Sequence, residues 1–263
     1  MNRYVLLSFD VEEFDMPLEY NFPISAEEQM RVGKKGLDAI QPLLSDPAVH
    51  TTLFTTANFA MHFPDAIRQL AAKHEIASHT FYHSSFINDH LLTSKNKLEE
   101  ISGTTVTGLR MPRMRKVSMH EVKESGYLYD SSINPTWIPG RYNNLHLERT
   151  IYLEEDVIRI PVSVSPVMRI PLFWLSFKNL SYAIFKRLAL QTLQNDGYLC
   201  LYFHPWEFTD IGQYGLPAFT KKLNGEPLLE RLHKLVYDLK KEAEFITMDT
   251  FVKTKSPAAT GLL

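Results

Sequence analysis

Residues 4–9 form an almost unbroken apolar run that ends abruptly in Asp10-Val11-Glu12-Glu13. Such a run, rich in β-formers, predicts a buried strand delivering carboxylates at its C-terminal end. Similar runs predict strands over 51–56, 75–78, 106–109, 127–129, 199–203 and 245–248, with shorter pieces at 150–153 and 157–160. Between them lie helical patterns. Ser25 followed by Glu28 reads as a capping box that opens a helix running to about residue 44, where Asp46-Pro47 stops it. Further helices are predicted over 62–73, with Ile67, Leu70 and Ala71 as its apolar face, and over 91–101, 118–125, 180–193 and 226–242. After residue 130 the periodicity fades. Pro135, Pro139, Gly140, Pro161, Pro166 and Pro171 mark an irregular insertion expected to fold over a site.

Alternating strands and helices imply an α/β fold with a parallel sheet and right-handed crossovers, open or closed into a barrel. No linker or repeat divides the chain, so one domain is expected over residues 1–255, followed by a flexible tail over 256–263.

Composition narrows the function. The 263 residues are 44% hydrophobic and 22% charged, enough for a large core. Lys and Arg total 28 against 30 Asp and Glu, and there is no basic stripe, so nucleic acid is not an expected partner. The single Cys200 excludes an internal disulfide framework and sits in an apolar run, which makes it a core residue. No stretch approaches the roughly 20 apolar residues that span a bilayer, and the N-terminal run is short for a signal peptide. These features lead to the expectation of a cytoplasmic protein without a transmembrane segment.

The chemistry-bearing residues follow the strands. Asp10 and Glu12, His79, Arg110, Asp130 and His204 each stand just beyond a predicted strand, the face on which α/β barrels build active sites. His79 and His83 are four apart. On a helix they would share a face, but Glu75-Ile76-Ala77-Ser78 before them and Ser84-Ser85 after them place the pair where a strand ends and a turn begins. Two imidazoles need one carboxylate to complete a three-ligand metal site with an open position. The remaining histidines, at 50, 62, 74, 90, 120, 146 and 233, lack such a context and read as surface or loop residues. Trp137, Trp174, Trp206 and Phe208 fit an apolar wall, a sugar-stacking platform or plain core.

The set resembles the polysaccharide deacetylase family, the NodB-homology carbohydrate esterases, from about residue 4 to 251. The motifs are the acidic pair Asp10-Val11-Glu12, the HTxxH run His79-Thr80-Phe81-Tyr82-His83, Arg110-Met111-Pro112, Asp130-Ser131-Ser132 and the late His204 after Leu201-Tyr202-Phe203. The resemblance implies a deformed (β/α) barrel of about seven strands and metal-dependent hydrolysis of an N-acetyl group on a carbohydrate. It implies Asp10 as general base paired with Arg110, and His204 as general acid oriented by Asp130. His79 and His83 would be metal ligands with an acidic residue, and the backbone N–H of Arg113 an oxyanion donor; Trp206 is a candidate substrate contact.

Two departures stand out. Many members carry adjacent aspartates where this chain has Asp10 and Glu12, separated by Val11. On a continuing strand a spacing of two keeps both on one side, so Glu12 is the candidate third ligand, with Glu13 turned away. Arg113 stands where an aromatic residue is frequent. A His/His/carboxylate set suits zinc, and cobalt, nickel or iron also fit it. Two alternatives remain: an allantoinase-like amidohydrolase acting on a small cyclic amide, and a non-catalytic glycan-binding protein of the same fold.

Overall fold

The computed structural model describes residues 2–255; the expected tail over 256–263 lies outside them. Seven strands make a curled parallel wall. They are β1 (Tyr4–Val11), β2 (Thr52–Thr55), β3 (Glu75–Ser78), β4 (Gly108–Leu109) and β5 (Tyr129–Asp130), then, after a two-stranded hairpin β6 (Trp137–Ile138) and β7 (Tyr142–Asn143) and the antiparallel edge strand β8 (Tyr152–Glu154), β9 (Val157–Arg159) and β10 (Tyr198–Phe203). Their spatial order is β10-β1-β2-β3-β4-β5-β9-β8, and a short β11 (Glu244–Phe245) pairs with the start of β1. The chain beyond β9 reaches β10 again through Ser163, whose backbone N–H donates to the Cys200 carbonyl at 3.0 Å and whose hydroxyl accepts from the Cys200 N–H at 2.9 Å. That contact brings the curled sheet round to a seven-stranded barrel, the expected architecture.

Strand alternation sorts the residues into two sets. On β1, Val5, Leu7, Phe9 and Val11 join the large outer core under the helices, while Leu6 belongs to a separate inner cluster with Phe54, Ala77, Tyr129, Ile160, Tyr198 and Cys200. Met248, Phe251 and Val252 of the helix Met248–Lys255 plug the bottom of this inner cluster. Cys200 is therefore a core residue, as its apolar run indicated.

Several expected boundaries are corrected. The helix from Ser25 is capped as predicted, with the Ser25 hydroxyl accepting from the Glu28 N–H, but it breaks into Ala26–Ala39 and Gln41–Leu44. Thr56 ends no strand. Its hydroxyl accepts from the Phe59 N–H and caps the unpredicted helix Ala57–His62. Met248 starts a helix rather than finishing a strand. The Pro-rich insertion contains the β6–β7 hairpin and a further short helix, Trp174–Asn179. His74, expected on the surface, is buried: its Nε2 bonds the Leu44 carbonyl at 3.0 Å and its Nδ1 accepts from the Thr51 N–H at 3.3 Å.

Candidate metal centre and active site

Above the apolar inner cluster the barrel interior turns polar. Ser8, Asp10 and Glu12 continue the inward phase of β1 after Leu6. Arg110, fully buried, fills the layer between. Its Nη1 donates to Asp10 Oδ1 at 2.7 Å and to Ser8 Oγ at 2.9 Å, and its Nη2 and Nε donate to the Ser131 hydroxyl and carbonyl. The guanidinium also lies 4.1 Å from the Phe54 ring centroid and 5.0 Å from that of Tyr202. The pairing expected between Asp10 and Arg110 is thus present, and it leaves Asp10 Oδ2 facing the cavity, 3.9 Å from His204 Nε2.

Glu12, His79 and His83 meet at the top. Glu12 Oε2 is 3.0 Å from His79 Nε2 and 3.2 Å from His83 Nε2. The other nitrogen of each ring is already engaged: His79 Nδ1 with the Arg110 carbonyl at 2.7 Å, His83 Nδ1 with Asp15 Oδ1 at 2.6 Å. Both partners are acceptors, so both Nδ1 atoms carry the hydrogen. That directs both Nε2 lone pairs of the neutral rings at the carboxylate. Glu12 Oε2 itself is buried without a hydrogen-bond partner, while Oε1 accepts from Trp206 Nε1 at 3.1 Å. Three convergent lone pairs repel unless positive charge sits among them, so the donor set fits a divalent cation. Without a cation, a proton on His83 supplies that charge. Burial opposes a charged His83 ring, yet Glu12 and Asp15 raise it to about 9. Burial would raise the Glu12 carboxyl too, but His83 and His79 hold it well below the usual range.

Local structure explains why two residues four apart can converge without a helix. Thr80 has φ +60°, an unusual left-handed conformation for a β-branched residue. It turns the chain directly after His79. The turn is pinned by the first N–H groups of helix Ala57–His62, with Ala57 donating to the Thr80 carbonyl and Asn58 to that of Phe81. Glu13 does point away from the centre, as strand alternation required. It accepts from the Thr56 hydroxyl, Asn58 Nδ2 and the His83 N–H, which makes it the anchor of the His79–His83 loop.

Asp130 requires a correction. Tyr129 packs in the inner cluster and Ser131 touches Arg110, so the residue between them faces the opposite way. Asp130 lies 3.0 Å from Arg159 and bonds Ser132, whose hydroxyl accepts from the Met111 N–H at 2.7 Å. It braces the loop after Arg110 and does not touch His204. The His204 ring bonds Glu207 instead, Nδ1 to Oε1 at 3.0 Å. Burial works against charge on His204, but the Glu207 bond and the carboxylates of Glu12 and Asp10 outweigh it and raise the ring above an ordinary histidine. Trp206 is buried, stacked on His204 at 4.7 Å between ring centroids. Arg113 has φ +56° and pairs with Asp15 and Glu19.

A cavity of about 270 Å³ opens over these groups. Met111, Ile138, Tyr142, Trp174 and Phe219 supply apolar walls, and Arg113 and Arg141 line it as well. The β6–β7 hairpin of the Pro-rich insertion therefore does form part of the site. Of the four aromatic residues left open from the sequence, Trp174 and Trp206 line this cavity, Phe208 is core, and Trp137 is largely exposed.

Residues 3–127 match the family model for polysaccharide deacetylase. That segment, just under half of the chain, is similar to the polysaccharide deacetylase family. It carries Asp10, Glu12, His79, His83, Arg110 and Arg113, while Asp130, His204 and Trp206 lie beyond the matched segment. Solved structures share the fold over nearly the whole chain. A candidate polysaccharide deacetylase from Mycobacterium smegmatis is 19% identical, with a TM-score of 0.70 over 100% of this chain and 93% of its own. A probable polysaccharide deacetylase from Pseudomonas aeruginosa PAO1 is 15% identical, TM-score 0.65 over 95% and 89%. Puue allantoinase is 17% identical, TM-score 0.63 over 92% and 86%. No curated protein matches the sequence. Among the described residues, no helix is long and apolar enough to cross a membrane.

Proposed function

We propose that the chain is a metal-dependent hydrolase that removes the N-acetyl group from an N-acetylated sugar or glycan precursor. The observation that carries this reading is the unpartnered Glu12 Oε2 with two imidazole Nε2 atoms aimed at it, beside Asp10 and His204. Glu12, His79 and His83 hold the cation, with zinc the metal best suited to the set. When bound, the cation supplies positive charge that makes an amide carbonyl and a water molecule more reactive.

The remaining work falls to the chain's own groups. Asp10, its Oδ1 tied to Arg110, takes the proton of the attacking water on Oδ2. The water oxygen adds to the carbonyl carbon, with the backbone N–H of Arg113 as the donor assigned to the developing oxyanion. Collapse breaks the C–N bond, and protonated His204 gives its Nε2 proton to the departing amine, leaving acetate and a free amino sugar. A cavity of about 270 Å³ with apolar walls has room for a sugar ring. The test is acetate release from N-acetylhexosamine substrates, with and without chelator. Turnover that persists after complete chelation and in His79→Ala would refute the metal mechanism.

A further inference from the structure

Behind His204 lies a buried chain of charges that neither the motifs nor the family match assigns. Glu207 is fully buried. Its Oε1 accepts from both the His204 backbone N–H, at 2.8 Å, and His204 Nδ1, at 3.0 Å. Its Oε2 lies 2.8 Å from Lys178 Nζ. Lys178 is also buried. It donates to the Thr220 carbonyl at 2.9 Å, and its ammonium lies 5.1 Å from the Trp174 ring centroid. A buried ion pair gives little net stability, because desolvating both charges offsets most of their attraction. A Lys–Glu pair placed directly behind a histidine therefore calls for an explanation other than stability.

We propose that Glu207, held in place by Lys178, is the positioning residue that sets the orientation and tautomer of His204. The proposal rests on His204 acting as the acid. Glu207 sits three residues after His204 on the turn Pro205–Phe208, so one carboxylate oxygen can hold both the ring and its backbone N–H. As an ionised acceptor it fixes the hydrogen on Nδ1. Nε2 is then left toward Asp10 and the cavity, where a proton must be delivered. Trp206, stacked on one side, and Trp174, edge-on at 5.1 Å, keep the ring from rotating away. The charged groups around the ring are Glu207 and Lys178 behind it, Asp10 across the cavity, and Glu12 beyond Trp206. Lys178 neutralises Glu207 and links it to the cavity wall at Thr220.

Glu207→Gln alone strands the Lys178 charge, so the test pairs it with the balanced variant Glu207→Gln/Lys178→Met, which removes both charges at nearly constant shape. Imidazole nitrogen NMR of the zinc-loaded protein, with His204→Gln to assign the signal, reads the ring directly. Wild type should show His204 as the Nδ1–H tautomer when neutral, and the balanced variant should lose that bias and titrate at lower pH. In acetate release, kcat should fall by about 10- to 100-fold with KM changed less than about twofold, and the alkaline limb should move to lower pH. An unchanged tautomer, midpoint and limb in a folded balanced variant would overturn the proposal, as would a loss confined to the amount of folded enzyme. If wild type itself hydrolyses no N-acetyl sugar, the functional reading fails, while the NMR result still decides what Glu207 does to the ring.

Discussion

Gly36 packs directly on the backbone of Pro205: a Cβ at Gly36 would sit 2.3 Å from the Pro205 carbonyl carbon and oxygen. One turn earlier on the same helix, a Cβ at Gly33 would sit 2.5 Å from the Glu12 carbonyl. The helix Ala26–Ala39 thus lies against both the strand end that carries Glu12 and the turn that carries Trp206 and Glu207. In an exposed helix Gly→Ala usually stabilises, by up to about 1 kcal/mol. Here the sign reverses. Gly36→Ala should destabilise by about 1–3 kcal/mol through overpacking, and it should lower kcat by shifting the turn beneath His204. Denaturant unfolding and initial rates on the same preparation check both effects; a more stable, fully active variant would show that the helix yields freely.

Asp15 was absent from every motif, yet it holds His83 Nδ1 at 2.6 Å. An acceptor behind a ligating imidazole fixes the ring and raises its basicity. Asp15→Ala should weaken zinc binding by about 10- to 100-fold, and Asp15→Asn, which keeps an acceptor but no charge, should weaken it less. Competition titration against a chromophoric chelator measures both.

The contrast between Asp15 and Glu12 shows what the sequence could convey. β1 is long enough for its alternation to fix the phase of Leu6, Ser8, Asp10 and Glu12, so the inward placement of the spaced acidic pair was readable in advance. β5 has only two residues, Tyr129 and Asp130, and a strand that short carries no phase of its own. Its facing is set by pairing with β4 and β9, which sequence does not show, so no local pattern speaks against the role beside His204 that the family resemblance implies for Asp130. Asp15 and Glu207 lie on turns, where partner choice depends on tertiary approach. Glu207 did carry a local signal, its i+3 spacing from His204, but that was overshadowed by the motif ending at the histidine. The Pro-rich stretch was correctly read as irregular, and its hairpin and the helix Trp174–Asn179 form only by packing on the barrel rim.

His74 makes stability depend on pH. Burial, aided by the Lys73 charge, depresses the ring from an ordinary 6.5 to about 4. Its Nδ1 must stay unprotonated to accept from the Thr51 N–H. Between pH 6.5 and 4 the unfolded chain therefore binds this proton more readily than the folded one, so stability falls as pH drops through that window. The contribution is about 3 kcal/mol at its full extent. Unfolding midpoints of wild type and His74→Gln, compared from pH 7 to 4, should converge as pH falls; parallel curves would assign the acid sensitivity to the carboxylates.

Glu12 decides whether the centre is a cation site. In the metal-free protein its carboxylate helps hold the buried His83 ring charged, so Glu12→Gln breaks a buried pair and should lower metal-free stability. Zinc should tell the two proteins apart. A ligand present at 100 times its dissociation constant stabilises the folded state by about 2.7 kcal/mol. Wild type should show a matching rise in Tm that chelator reverses, whereas Glu12→Gln, with His79 and His83 intact, should show a much smaller one. Glu12→Asp is the sharper probe: it keeps the charge but withdraws the oxygen by one methylene, and strand geometry gives the backbone no means of following. A zinc-induced shift in Glu12→Asp as large as in wild type would mean that the third ligand is another group.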